Sequence, residues 1–390
     1  MRFFCLYAII FSRNGRYETE KCPYYNRMHP ILKTLGLVLL TAGAMNCQPL
    51  SAQNTPVTTA EAEKLSMQLE SSMNRGDAKM LNQLIYFPAF IIRTESKSPL
   101  IDNVDTLTKI ANDFGLFTIG NSTLEITKNG SYKLVRGFLK NEEMHLLFRA
   151  FGDGGIDYQD ITIIKVKDTL RAADIFSYQL GESYTKQFSY LITDTGMADA
   201  HSSLTSRDKY GIIFKNALSQ KNYSAARSAF EKFDDQTQND RHLSIQYMLA
   251  CQHISEKLFR RSVDHYLSLF PDEATPYLLM MQEYADTKSY GEYSKAIDKL
   301  DTLLHIDPFL NYFRGNVEMK LNDLRAASHF YQEAFDYDPG IWQNTEKLVD
   351  CKVVNNELVQ ASEAIILYTH TPGYRKDLVE ELYKDYPALR

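Results

Sequence analysis

Two aspartates and two tyrosines, set at every second residue of consecutive β-like stretches, are the side chains of this chain best placed to do chemistry. Tyr158 and Asp160 lie in one stretch, and Asp174, Phe176 and Tyr178 follow at the same spacing in the next. Residues i and i+2 of a strand share a face, so each set is expected to look to one side of a sheet. If those sides line a pocket, burial would raise the carboxyl pKa values and let Asp160 or Asp174 act as acid or base beside Tyr178. No nucleophile and no oxyanion donors accompany them, so the preferred reading is structural: pairing with Arg149 or Arg171, or capping of turns. The chain is therefore read as a non-enzyme, with an enzyme or small-molecule binder using that pocket as the alternative.

Other chemistries find less support. His242, His253 and His265 recur about every eleven residues, which suits neither one helix face nor a zinc finger, and there is no Cys-x-x-Cys or His-Glu-x-x-His. Gly152-Asp153-Gly154-Gly155 joins two strand-like runs, so it reads as a hairpin turn and not as a phosphate loop. Asp153, Asp157 and Asp160 have a calcium-like spacing but lack the bidentate carboxylate after the glycine and the flanking helices. No metal and no cofactor is expected.

The elements that must position these residues come in a clear order. Apolar residues recur with a helical period over 58–84, interrupted at Arg75-Gly76-Asp77, and again over 104–114. Strands are expected at 90–93, 122–128, 132–140, 144–151, 158–167 and 172–180, with turn signals at Asn129-Gly130, Lys140-Asn141 and Lys167-Asp168. Helices followed by an antiparallel meander make an α+β domain over about residues 54–195. That order resembles the cone-shaped nuclear-transport-factor and cystatin-like class. The segments Phe151-Gly152-Asp153-Gly154-Gly155-Ile156-Asp157-Tyr158-Gln159-Asp160 and Ala173-Asp174-Ile175-Phe176-Ser177-Tyr178-Gln179-Leu180-Gly181-Glu182 are similar to a two-part signature of secreted Bacteroidetes proteins that join such a domain to tetratricopeptide repeats. The resemblance implies architecture and compartment, and no biochemical role.

From residue 205 to 390 the pattern is helical throughout. Gly315, Ala327, Tyr331, Ala334 and Asp338-Pro339 form one unit, and Tyr293, Ala296, Leu300, Leu303 and Asp307-Pro308 form another in phase with it. Small residues let two antiparallel helices approach, the larger ones continue the buried face, and proline ends the second helix. Asn222-Tyr223, Ala226, Phe230 and Phe233, then Ser262 and Tyr266, give two earlier units, and Leu358, Ala361, Ile365 and Tyr368 a fifth before a closing helix over 375–383. These residues resemble the tetratricopeptide repeat, whose stacked helical hairpins form an all-α solenoid that holds another chain. The spacing of 31 from Ala296 to Ala327 is shorter than the family's unit, so a trimmed turn is expected. On the concave face, Tyr312, Asn316, Met319 and Lys320 would contact a partner, with Leu278, Met281 and Lys288 on the neighbouring helix. The family's basic clamp for a chain terminus is absent, which points to an extended or helical apolar segment of another envelope protein.

The start of the chain bears on compartment. Met28, with His29 and Lys33, precedes an apolar run over 35–45 and small residues to Ala52, the order of a secretory signal with cleavage before Gln53. Residues 1–27 are read as lying upstream of the true start and 28–52 as the signal, giving a periplasmic or secreted protein; membrane attachment would require lipidation of Cys47. Without residues 1–52 the net charge moves from −6 to about −10, which disfavours nucleic acid and anionic lipid as partners. Only Cys251 and Cys351 then remain, both read as buried and unpaired. Asp-Thr-Leu triplets at 105–107, 168–170 and 301–303 resemble a Bacteroidetes O-glycosylation acceptor, with Thr169 the one expected on a turn.

Overall fold

The computed structural model describes residues 56–94, 103–197, 206–285 and 287–390. The expected signal, its expected cleavage site and Cys47 lie outside them. Thr58 opens the first helix with a capping box: its hydroxyl accepts the Glu61 N–H, and the Glu61 carboxylate accepts the Thr58 N–H at 3.0 Å. Five helices follow in a layer: α1 (Thr59–Asn74), α2 (Lys79–Leu84), α3 (Phe87–Arg93), α4 (Val104–Phe114) and α5 (Ile119–Ile126).

Two of these replace expected strands. Residues 90–93 belong to α3, because Pro88 at the helix start fixes φ for the first turn and Phe87, Phe90 and Ile91 then share one face packed on the core. Residues 122–126 belong to α5, where buried Ile119 and Thr123 are four apart and the Thr123 hydroxyl donates to the Ile119 carbonyl at 3.0 Å. Its β-branched residues favour a strand in isolation. Tertiary packing overrides that preference.

One antiparallel sheet runs in chain order through β1 (Ser131–Lys140), β2 (Glu143–Gly152), β3 (Gly155–Val166), β4 (Thr169–Ser177) and the short β5 (Glu182–Ser183). The β1–β2 and β3–β4 hairpins turn on residue pairs with positive φ, Asn141-Glu142 and Lys167-Asp168, the type I′ geometry that matches strand twist. Tyr132, Phe148, Ile161, Ile163 and Ile175 face the helical layer and α6 (Tyr184–Met197), filling a core with Leu69, Phe90 and Phe188. Leu147, Phe151, Ile156 and Tyr158 face the other way, into a second core that they share with Leu278, Phe309, Leu310 and Ile341. Burial on both faces explains why β2 reads as a nearly unbroken apolar run.

The described residues of the C-terminal half form an all-α solenoid of five helical hairpins. They are α7 (Ser206–Ser219) with α8 (Tyr223–Phe230), α10 (Arg241–Gln252) with α11 (Glu256–Leu269), α12 (Thr275–Tyr284) with α13 (Tyr290–Leu304), α14 (Asn311–Lys320) with α15 (Leu324–Tyr337), and α16 (Trp342–Val354) with α17 (Leu358–Thr369). The short α9 (Asp235–Gln238) sits between the first two pairs, and α18 (Lys376–Asp385) closes the array. Ala226, Ala296, Ala327 and Ala361 are fully buried on the second helices. Gly315 is needed because a Cβ there would lie 2.6 Å from the Tyr331 ring. It is thus Tyr331, four residues beyond Ala327, that fills the glycine's empty side. Cys251 and Cys351 are buried and unbridged.

Among the described residues no helix is long and apolar enough to cross a membrane, and no group of three or more His, Cys, Asp or Glu side chains could hold a metal ion.

Candidate functional site

The two halves meet along the turns that lead from one hairpin to the next. Glu182 at the sheet's last strand meets His242 at the start of α10, and Leu134 O accepts from the Tyr337 hydroxyl at 3.3 Å. Gln343 at the start of α16 donates to Asp153, and Arg375 beside α18 donates to Asn129. At the centre is Arg149 of β2, which is fully buried. Its Nη1 lies 3.0 Å from Asp307 Oδ1 and its Nη2 lies 2.6 Å from Asp338 Oδ2. Those are the aspartates of the two Asp-Pro turns that close consecutive hairpins.

Further partners complete the network. Ser131 Oγ donates to Asp338 Oδ2 at 2.8 Å, Tyr158 donates to Asp307 Oδ2 at 2.7 Å, and Asp307 Oδ1 accepts the Phe309 N–H at 3.1 Å. The Phe309 ring centroid is 4.0 Å from the guanidinium carbon. Burial alone would pull the Arg149 pKa down, but the two carboxylates outweigh it and hold it above its ordinary value. Burial, then the Asp307 charge, pushes Tyr158 well above the usual phenol range. This arrangement fixes a charge in place; it offers no exposed group to a substrate.

The expected pocket residues are placed as follows. Tyr158, Asp160, Asp174 and Tyr178 do share one face of the sheet, but it is the face turned to the solenoid and not to the helical interior. Asp160 pairs with His145 Nδ1 at 2.8 Å, not with Arg149 or Arg171. Asp174 binds the first turn of α6, accepting from Thr185 N at 3.2 Å and Thr185 Oγ1 at 2.5 Å. Tyr178 packs edge-on against Tyr158 and Phe176, and burial, then Asp160, pushes its pKa up to about 12. Asp174 is thus drawn away from the other three. The polar groups that do face the helical interior are Asp157 and Gln159. Asp157 accepts from Ser177 Oγ at 2.9 Å and Gln179 N at 2.8 Å, and burial raises its pKa to about 6.

The expected concave-face residues require correction. Leu278 and Met281 are buried in the core shared with the sheet and cannot touch another chain. Tyr312 is stacked on Phe309 and packed edge-on against Phe151, and Met319 is half-buried with its sulfur 3.4 Å from Cys351 Sγ. Asn316 accepts from the Tyr331 hydroxyl at 2.8 Å. Lys320 alone of the six is exposed. The chain's own sheet and hairpins occupy the place where a peptide was expected.

A different surface is open. Counted from the buried alanines, Val359, Glu363, Ile366 and Leu367 of α17 stand where α15 has Arg325, His329, Gln332 and Glu333, and where α13 has Ser294, Asp298, Asp301 and Thr302. The outer face is polar on the earlier helices. On α17 it is apolar, with Val359 70%, Ile366 54% and Leu367 56% exposed, flanked by Val354 at 62%. Helical periodicity missed this because α17 is apolar nearly all round; comparing equivalent positions between repeats would have found it. Arg149 was expected to pair with the sheet aspartates; its actual partners, Asp307 and Asp338, were missed because they lie 158 and 189 residues away along the chain.

No protein-family model matches the chain. None of the curated proteins matches it either. Among solved structures, the chain is similar to one described as the crystal structure of MamA protein, with a TM-score of 0.37 and 13% identity over 46% of this chain and 95% of that one. So loose a likeness says nothing about fold or function, and the hairpins stand on their own geometry.

Proposed function

We propose that this chain is an exported, non-enzymatic scaffold that holds a helix of a partner protein on the outer face of α17. The observation that carries the reading is the change of that face from polar on α13 and α15 to apolar on α17. The last hairpin of a solenoid needs a polar outer face to stay soluble alone, and an apolar strip there marks a contact surface. Glu363 lies exposed in the middle of the strip, and among the described residues no cation pairs with it. A second copy docking through a two-fold axis would bring two such carboxylates together, so the favoured occupant is a different protein. It presents an apolar helix face with a lysine or arginine opposite Glu363.

Export is supported by the basic, apolar and small-residue order after Met28, and the absence of catalysis by the hydrogen-bond partners that occupy Asp160, Asp174 and Tyr158. The test is affinity capture from the source organism's envelope fraction with the wild type and a Val359→Glu/Ile366→Glu variant. One protein should be retained by the wild type and lost by the variant, with unchanged melting. Equal retention by both would place the partner elsewhere, and a wild-type dimer dissolved by the same variant would replace the partner with a second copy.

A further inference from the structure

A cleft of about 1080 Å³ opens on the N-terminal half between α2, α5 and the β3–β4 hairpin. Lys79 enters it from the α2 wall and Lys167 from the hairpin wall, and Arg171 reaches from β4 to the α2 wall at Gln83. None of the three pairs with a described carboxylate. Nearby Lys165 differs: its ammonium is 2.7 Å from Glu61. Arg171 is steadied by one bond, Nη1 donating to the Gln83 carbonyl at 2.8 Å, which leaves the rest of its fork unspent. Among the described residues the one carboxylate lining the cleft, Asp77, turns an oxygen to the Lys79 backbone N–H at 2.9 Å. Between the charged walls the floor is apolar, with Ile85, Tyr86, Phe117 and Leu124.

We infer that this cleft binds an acidic extended peptide segment, with carboxylates on Lys79 and Arg171 at the α2 wall and on Lys167 at the hairpin wall. Three cations that pair with no described carboxylate line this one cleft in a chain of net charge −6, which gives it a local positive potential that favours an anion. The opening slightly exceeds the roughly 300–1,000 Å³ of sites for small molecules, and its cations stand on opposite walls. The negative charges must therefore be spaced along a chain rather than gathered on one small anion. Apolar side chains between them would lie on Tyr86 and Phe117. The site is separate from the α17 face and does not depend on it.

Fluorescence anisotropy of labelled hexaglutamate and hexaglutamine peptides on the full chain tests the inference. Hexaglutamate should bind, weaken on raising salt, and lose roughly tenfold in affinity in a Lys79→Ala/Lys167→Ala variant, equivalent to about 1.4 kcal/mol. Both lysines are exposed and have no side-chain partner among the described residues, so the variant should melt like the wild type. Hexaglutamine should not bind. Equal binding of the two peptides, or undiminished hexaglutamate binding by the variant, would overturn the site. Citrate binding as tightly as hexaglutamate would overturn its assignment to an extended chain.

Discussion

Tyr158 of the sheet donates its hydroxyl proton to Asp307 Oδ2 at 2.7 Å, the same carboxylate that the Arg149 guanidinium holds. The turn that ends the third hairpin is thereby tied to two strands at once, through a charge-assisted bond and an ion pair that water does not reach. Two consequences can be measured separately.

Arg149→Met would leave Asp307 and Asp338 buried without their cation, and should cost about 3–5 kcal/mol in global unfolding. Tyr158→Phe removes only one bond to a charged acceptor and should cost roughly 1.5–3 kcal/mol. Denaturant melts of the two variants check the order. A loss in Arg149→Met no greater than that in Tyr158→Phe would show that the buried charges relax or protonate.

Asp157 predicts a rise in stability on acidification. Its folded pKa, about 6 through burial, stands above its unfolded value near 3.8. The protonated form is therefore favoured in the fold. Its contribution is fully present below about pH 4 and is lost as pH rises through 6, roughly 3 kcal/mol in all. Melting temperatures between pH 4 and 7 should show this slope for the wild type and lose it in Asp157→Asn. A slope that survives the substitution would assign the effect to another group.

The glycine at the fourth hairpin's crossing admits no side chain. Gly315→Ala would place Cβ against the buried Tyr331 ring and should destabilise by about 1–3 kcal/mol, and Ala327→Leu by a similar amount through overpacking. Circular dichroism melts check both. Wild-type stability in Gly315→Ala would show that Tyr331 has room to move.

Asp174→Ala should act on folding alone. It frees the Thr185 N–H and hydroxyl at the start of α6, a loss comparable to that of a helix cap, about 0.5–2 kcal/mol. A turnover abolished by this change at unaltered melting temperature would contradict the non-enzymatic reading.

Much of the architecture was legible in local spacing. Small residues at hairpin crossings and Asp-Pro turns mark the solenoid, because close helix approach and helix termination each demand particular residue types. The β meander showed in its hairpin turns. What failed depends on distant partners. Alternation correctly grouped Tyr158 with Asp160, but period two cannot say which side of a doubly covered sheet a set faces. The concave groove failed for a related reason: Leu278 and Tyr312 look like contact residues until a sheet from residues 131–177 is packed on them. The strands expected at 90–93 and 122–128 failed because short apolar or β-branched runs are decided by what they pack against.

The Arg149–Asp338 pair also sets a delay in the life of the newly made chain, since its members are 189 residues apart. At a synthesis rate of roughly 5–20 residues per second, the arginine exists for about 10–40 s before its second carboxylate does. During that interval Leu147, Phe151 and Tyr158 have no solenoid to cover them, and the sheet presents an apolar, cationic face to its surroundings. Purified chains truncated before residue 307 should therefore bind dyes that recognise apolar surface, and chains that run past residue 341 should bind less of them.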